Sequence, residues 1–398
     1  MIRVALKMLM GDRAKYTGLL FGITFTSFLV TFAASYFCGF MTRGFALIAE
    51  NPGADVWVMD PAVESAEQTT NMPDSALDRV RSTDGVLSAA PMALATADAR
   101  FPNGRFQTFQ LVCVDDATLF GLPALKDGVS PTVLHAPDAV VVDPGGTDGK
   151  LETPLLKADQ WTYGRPRLNV ATRELAAEDE LLVNDHRVVI RGRSEALPRY
   201  PPRPLMYTTL SNAKRVLLPE RHLLTFVLAK GAPGVSPREL ARRIEVQTGL
   251  KARSSDDFEA DTVLWFLINS EDVGDVAAML SLATSVGFGV TGVMLYMFTN
   301  ESLKQYAVLK TMGASSRLLL TMILMQSGLC ALLGTGLGLG LCAIIGRIAV
   351  VEADYPFRMM WFTPILGGVM VTLVSVVAAA ISARPVLKLE PGVVFAGR

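Results

Sequence analysis

The sequence predicts an α-helical membrane protein: four transmembrane helices plus a large α+β periplasmic domain made of two βα units and a mostly β subdomain. Three observations carry this. Half of the 398 residues are hydrophobic and the mean hydropathy is +0.35, too apolar for an ordinary soluble chain of this length. Four apolar runs, 17–41, 276–299, 318–346 and 362–383, are long enough to cross a bilayer core, which needs roughly 20 helical residues. The net charge of −1 hides a segregation of charges along the chain, with basic residues gathered on one side of those runs.

Residues 1–16 place Arg3 and Lys7 one helical turn apart against Val4, Leu6, Leu9 and Met10, the pattern of an interfacial cytoplasmic helix. The first span, 17–41, exceeds the apolar core of a signal peptide and lacks a small-x-small exit, and Phe37 before Cys38 does not suit lipid attachment. It reads as an uncleaved transmembrane helix. Arg3, Lys7, Arg13 and Lys15 precede it; Lys304, Lys310 and Arg317 lie between spans two and three; Arg384, Lys388 and Arg398 follow span four. Glu271, Asp272 and Asp275 stand on the other side, with the mixed loop 347–361. The positive-inside rule then puts both termini and the 300–317 segment in the cytoplasm and residues 42–275 in the periplasm.

The 42–275 domain repeats itself weakly. Aligning Pro73 with Pro237 superposes Val80 on Ile244, Gly85 on Gly249 and Val86 on Leu250, so that 42–100 and 221–262 each read as strand, loop, helix, glycine stop, strand. Between them, 101–220 carries "FQTFQLVCVDD", "DAVVVDP" and "HRVVIRG" and reads as a β-rich subdomain. The Arg/Pro stretch 191–204 reads as an extended surface connection, with a docking strip as the alternative. Cys38, Cys330 and Cys342 fall in spans and leave Cys113 alone outside them, so no disulfide can form within that domain.

Catalytic patterns are scarce. His135, His186 and His222 show no metal-ligand spacing, which leaves no metal site in view. "SNAK" at 211–214 matches S-x-x-K without its companion motifs, and "GGTDGKL" at 145–151 has Pro144 where a phosphate loop needs glycine. No basic stripe interleaved with aromatics points to nucleic acid. No span carries an ionisable residue at its middle, which argues against a proton relay through the bilayer. The chain is expected not to be an enzyme.

The segment "ESLKQYAVLKTMGASSR", 301–317, leaves the apolar phase only to return to it. As a helix it repeats Leu303, Tyr306, Leu309 or Lys310 and Gly313 at three- and four-residue spacing, with Val308 and Met312 beside them and Glu301, Lys304 and Lys310 on another face. An apolar helix face outside the membrane marks a binding surface. In span three, Gly334 stands four before Gly338 and Gly336 four before Gly340, the small-xxx-small pattern of close helix approach.

"YAVLKTMGASSRLLLTMILMQSGLCALLGTGLGLGL" resembles the hallmark segment of FtsX/MacB-type (type VII, mechanotransmission) ABC transporter permeases. "ISARPVLKLEPGVVF" is similar to the family's C-terminal end and "DSALDRVRSTDGVLSAAPM" to the opening helix and strand of its external domain. The order of one span, a large domain and three further spans covers the whole chain, and Tyr306–Ala307 with Lys310–Thr311–Met312 looks most like the DevC-type subgroup. Gln305 departs from the acidic residue of many relatives.

The resemblance implies a permease subunit of the bacterial inner membrane that transmits ATP hydrolysis to its periplasmic domain. A separate ABC ATPase dimer would carry ATP and Mg, and no cofactor would bind this chain directly. In this coupling-helix reading Tyr306, Val308, Leu309 and Met312 are apolar anchors, Lys304 and Lys310 lie at the rim, Gly313 ends the helix, and Arg384 and Lys388 of the cytoplasmic tail, 384–398, stand beside it. Implied partners are a second copy of the chain (a homodimer), a periplasmic adaptor, an outer-membrane TolC-like duct for efflux, and membrane lipid. The alternatives within the family are LolC/LolE-like extraction of lipoprotein or lipid and FtsX-like signalling to a periplasmic hydrolase.

Overall fold

The computed structural model describes residues 13–147, 149–161, 166–217 and 224–387. The expectations for Arg3 and Lys7, for His222 and for Lys388 with the rest of the tail lie outside the described residues. Two compact units emerge, residues 41–269 and residues 1–40 with 270–398.

The chain opens with α1 (Arg13–Gly44) and α2 (Ala46–Ala49), then β1 (Val56–Met59), α3 (Ser75–Arg81), β2 (Val86–Arg100) and β3 (Phe106–Val114). It continues through β4 (Ala139–Asp143), β5 (Glu152–Pro154), β6 (Thr172–Glu174), β7 (Glu180–Val183), β8 (His186–Arg193), β9 (Leu205–Thr209) and α4 (Leu210–Val216). After β10 (Phe226–Gly231) come α5 (Pro237–Thr248), β11 (Lys251–Ser254) and α6 (Ser255–Asn269). The last part is helical: α7 (Glu271–Glu301), α8 (Leu303–Thr311), α9 (Ser316–Ala353), α10 (Phe362–Ser382) and α11 (Arg384–Leu387).

In the 41–269 unit the two repeat-like segments do not stand apart. Their strands interleave in the order β11-β1-β10-β2, every neighbour antiparallel, so each β-α-β unit contributes one central and one outer strand. This is the split β-α-β arrangement. Ser236 caps α5 by accepting from the Glu239 amide, with Pro237 at the first helical position. The aligned glycines Gly85 and Gly249 both sit at positive φ, +94° and +68°, where a side chain would be strained; Gly249 caps α5, and Gly85 lies in the turn between α3 and β2. The aligned Val80 and Ile244 are fully buried in one core with Val56, Val58, Val227 and Leu240. The alternate residues Trp57, Met59, Phe226 and Leu228 face a second core, where Trp57 meets Phe226 edge-on at 5.4 Å and Phe258 of α6 at 5.8 Å.

β2 is long enough to serve two sheets. Its first half pairs with β10, and Ala93–Arg100 pair with β3. From there the order β2-β3-β9-β4-β8-β7 returns to β2 through Ala99↔Val183 and Arg100↔Leu182, closing a ring of strands. Closure leaves that sheet without an open edge. Phe109, Leu111, Cys113, Val140, Val142, Val188 and Ile190 fill the interior, and burial raises the Cys113 thiol pKa to about 12, which makes it an inert packing group.

The Arg/Pro stretch corrects a sequence expectation. Glu195, Leu197, Pro201 and Pro202 do lie at the surface, but the stretch turns inward at Arg199, which is 2% exposed and whose Nη2 donates to Glu50 Oε2 at 2.5 Å and to the Tyr207 hydroxyl at 3.3 Å. The Leu197 amide also donates to Glu50, and Arg203 pairs with Glu67. Beside it Asp143 accepts from the Gly145 amide at 2.8 Å, the Ala196 amide at 3.1 Å and the Ser194 hydroxyl at 3.1 Å. Burial holds both carboxyls above the usual range, against the opposing pull of Arg199 on Glu50 and of the amide donors on Asp143. Composition reads arginine as solvent-loving; the placement of Glu50 is what holds Arg199 inside.

Among the described residues four helices are long and apolar enough to cross a membrane: Tyr16–Gly44, Glu271–Glu301, Ser316–Ala353 and Phe362–Val386. The third differs from its expected 318–346 extent. α9 continues through "RIAVVEA" to Ala353, about 57 Å in all, and stops at Asp354 in the left-handed region, so the loop expected at 347–361 is reduced to 354–361. α1 is the hub: 56% of its apolar window is buried, against 22%, 28% and 39% for the other three. Small hydroxyl residues on α1 sit against glycines of its neighbours. Thr26 fills the space at Gly287 of α7, and Thr31 the space at Gly367 of α10. A Cβ on Gly334 of α9 would stand 2.6 Å from Ile23 Cγ2, and one on Gly338 would stand 2.5 Å from Ser27 Cβ. Gly336 and Gly340 have open space instead, so only half of the expected glycine pattern packs within the chain. A straight helix presents alternate pairs of that motif to different sides, and α1 occupies one side only.

Candidate functional site: the short helix between the second and third spans

α8 is a nine-residue helix jointed at both ends. Ser302 separates it from α7, with φ −86° and ψ 4°, and still receives the Tyr306 amide on its carbonyl at 3.1 Å. At the other end Gly313 adopts φ +96° with nothing within 4 Å of its missing Cβ, so backbone conformation rather than space selects glycine there. Ser315 then caps α9 by accepting from the Leu318 amide at 3.3 Å. Joints of this kind explain why the expected 300–317 helix is confined to Leu303–Thr311.

The helix has two unlike faces. Inward, Tyr306 and Ala307 are fully buried, and Leu303 and Leu309 pack half-buried against the same core, with Leu319, Met322 and Ile323 of α9 and Val386 of α11. The Tyr306 hydroxyl donates to Gln326 Oε1 of α9 at 3.0 Å. Outward, Val308 is 45% and Met312 79% exposed, with Lys304, Gln305 and Thr311 exposed beside them. Lys310 is half-buried and Arg384 at the start of α11 is exposed. The expected anchor set therefore divides. Val308 and Met312 lie on a surface a partner can reach, whereas Tyr306 is directed into its own chain and Leu309 is half covered by it. That corrects the outward role expected for Tyr306. The three-and-four spacing was visible in the sequence, but which stripe faces α9 depends on Gln326, 20 residues away.

No cluster of three or more His, Cys, Asp or Glu that could hold a metal occurs among the described residues. The His135 Nε2–H donates to the Asp116 carbonyl at 3.0 Å, an ordinary structural contact.

The chain is similar in part to known proteins. The crystal structure of the extracellular domain of the noncanonic ABC-type transporter YknZ from Gram-positive bacteria aligns at 12% identity and TM-score 0.32, over 50% of this chain and 98% of that one. The periplasmic region of MacB from Actinobacillus actinomycetemcomitans aligns at 14% identity and TM-score 0.34, over 54% and 96%. No curated protein matches. Residues 277–391, which hold most of α7 together with α8, α9 and α10, match the family described as FtsX-like permease C-terminal.

Proposed function

We propose that this chain is the membrane subunit of an ABC transporter and that a separate ATPase subunit docks on the outward face of α8. The observation that carries the reading is the division of that helix: a buried Tyr306–Ala307 face holds it to the bundle, and an exposed Val308–Met312 stripe flanked by Lys304 is left for a partner. Exposed apolar side chains outside the apolar spans are costly unless something covers them. The FtsX-like match over 277–391 supports the same reading. Lys310 and Arg384 would lie at the rim of the contact, and ATP with Mg would bind on the partner. Two copies of the chain would meet the two ATPase subunits, with both termini cytoplasmic and the 41–269 unit periplasmic in the inner membrane. In the DevC-like form of this reading, closure of the ATPases drives export of a periplasmic substrate through an adaptor and a TolC-like duct.

The test is co-purification of tagged protein from its native membrane in mild detergent, beside a Met312→Asp variant. An ATPase that travels with wild type and is lost from the variant is the expected result. A wild-type complex that retains the ATPase equally well with Met312→Asp and Val308→Asp would remove α8 as the docking site. An adaptor recovered in the same complex supports the export route, and a lipoprotein carrier in its place would redirect it to lipid extraction.

A further inference from the structure

The Tyr306–Gln326 contact is an unusual feature for an apolar span. Gln326 lies within α9 among Met322, Ile323, Ser327 and Cys330 and is 3% exposed. An amide in hydrocarbon is expensive unless its polar atoms are satisfied from within the protein. One of them is satisfied by a residue that belongs to no span, because Tyr306 reaches in from α8 and donates its hydroxyl at 3.0 Å. Burial raises the phenol pKa to about 12, so it stays protonated as a donor.

The geometry of α8 gives that bond a task. A nine-residue helix is too short to hold itself in water. Neither neighbour continues into it as helix, since Ser302 breaks the path from α7 and Met312–Gly313 the path to α9. Leu303 and Leu309 add apolar contact with the same core, and apolar burial is non-directional: it holds a helix against a surface without fixing its rotation or slip. A hydrogen bond is directional and fails within a few tenths of an ångström.

We infer that the Tyr306–Gln326 hydrogen bond is a directional link that sets the rotation and slip of α8 against α9, so that a load applied to the outer face of α8 is delivered to the third span. Tyr306 is thus a positioning residue, acting through Gln326 and not by touching a partner. The mechanical part of this inference stands on the described contacts. Its functional part rests on the proposed docking of an ATPase on α8.

The experiment separates the two. Spin labels at Val308→Cys and Met325→Cys, both exposed positions, report the α8–α9 distance in the full chain in lipid nanodiscs, since the four native cysteines are buried. Wild type should give one narrow distance, and Tyr306→Phe and Gln326→Leu should each broaden it. The double variant Tyr306→Phe/Gln326→Leu removes both members of the bond and should melt closer to wild type than either single variant, yet its distance should stay broad. In the complex with its ATPase, Tyr306→Phe should still co-purify the partner while the permease-dependent stimulation of ATP hydrolysis falls about fivefold or more, the low end of ordinary coupling between sites. A narrow distance in all three variants, or a double variant restored in both distance and stimulation, overturns the inference, because packing alone would then position α8. A broad distance in the variants with no ATPase bound to wild type supports the link and overturns the docking reading alone.

Discussion

The two units of this chain are held by opposite means. In the 41–269 unit large side chains interdigitate: Trp57, Phe226 and Phe258 on one side of the split β-α-β sheet, Val80, Leu240 and Ile244 on the other, and an aliphatic plug inside the closed ring. In the four-helix unit the central contacts are made by the smallest residues available, glycines of α7, α9 and α10 against Thr26, Ser27 and Thr31 of α1. The difference follows the solvent. Water rewards removal of apolar area, so bulk is the asset in the first unit. Lipid tails are as apolar as leucine, so in the second the gain comes from close backbone approach and satisfied hydroxyls, and bulk is a liability.

Four changes would break or sharpen that contrast. The largest effect is expected from Trp57→Ala, which empties a fully buried site between two rings and should destabilise the 41–269 unit by about 3–5 kcal/mol. Denaturant unfolding of the detergent-solubilised chain, followed by aromatic fluorescence, measures it. Next, Arg199→Ala should leave Glu50 charged and unpaired inside the protein and lower stability by a similar or slightly smaller amount, about 3 kcal/mol or more. The compensated pair Glu50→Leu/Arg199→Met should recover most of that loss in the same assay, and a double variant as unstable as the single would show that packing rather than charge is at issue.

In the other unit, Gly338→Leu should displace α1 and lower thermal stability in detergent by about 1–3 kcal/mol, whereas Gly336→Leu two residues away should be near neutral. Equal effects at both positions would remove the distinction between the two faces of α9. The smallest effect is a pH dependence. Glu50 and Asp143 bind their protons more tightly folded than unfolded, so their contribution to stability should rise as pH falls from neutral toward the ordinary carboxylate range and level off below it. The arginine-paired Glu239 and Asp257 are held below that range and should pull the other way only at lower pH. A melting series between neutral and mildly acid pH, compared with Glu50→Gln, which should flatten the rise, checks the sign.

Much of this was legible in the residues. The apolar runs disclosed the spans, because a helix in lipid must satisfy its own backbone and so must be long and apolar throughout. Pro73 with Gly85 and Pro237 with Gly249 disclosed two helix-strand units, because capping chemistry is local. What that periodicity could not record is pairing between distant positions. The interleaving of β1 with β10 and β11, and the return of β7 to β2, join segments far apart in the chain, and no residue type announces its partner.

The same limit applies to the candidate site and to the Arg/Pro stretch. By itself the sequence determined that 301–317 is amphipathic and ends in a glycine turn, and that span three carries glycines at four-residue spacing. Only the tertiary structure decided that Tyr306 faces Gln326, that Val308 and Met312 are left outside, that Gly334 and Gly338 rather than Gly336 and Gly340 meet α1, and that Arg199 lies buried on Glu50. Local pattern sets which faces a helix has; the neighbour that covers one of them is set by packing across the whole chain.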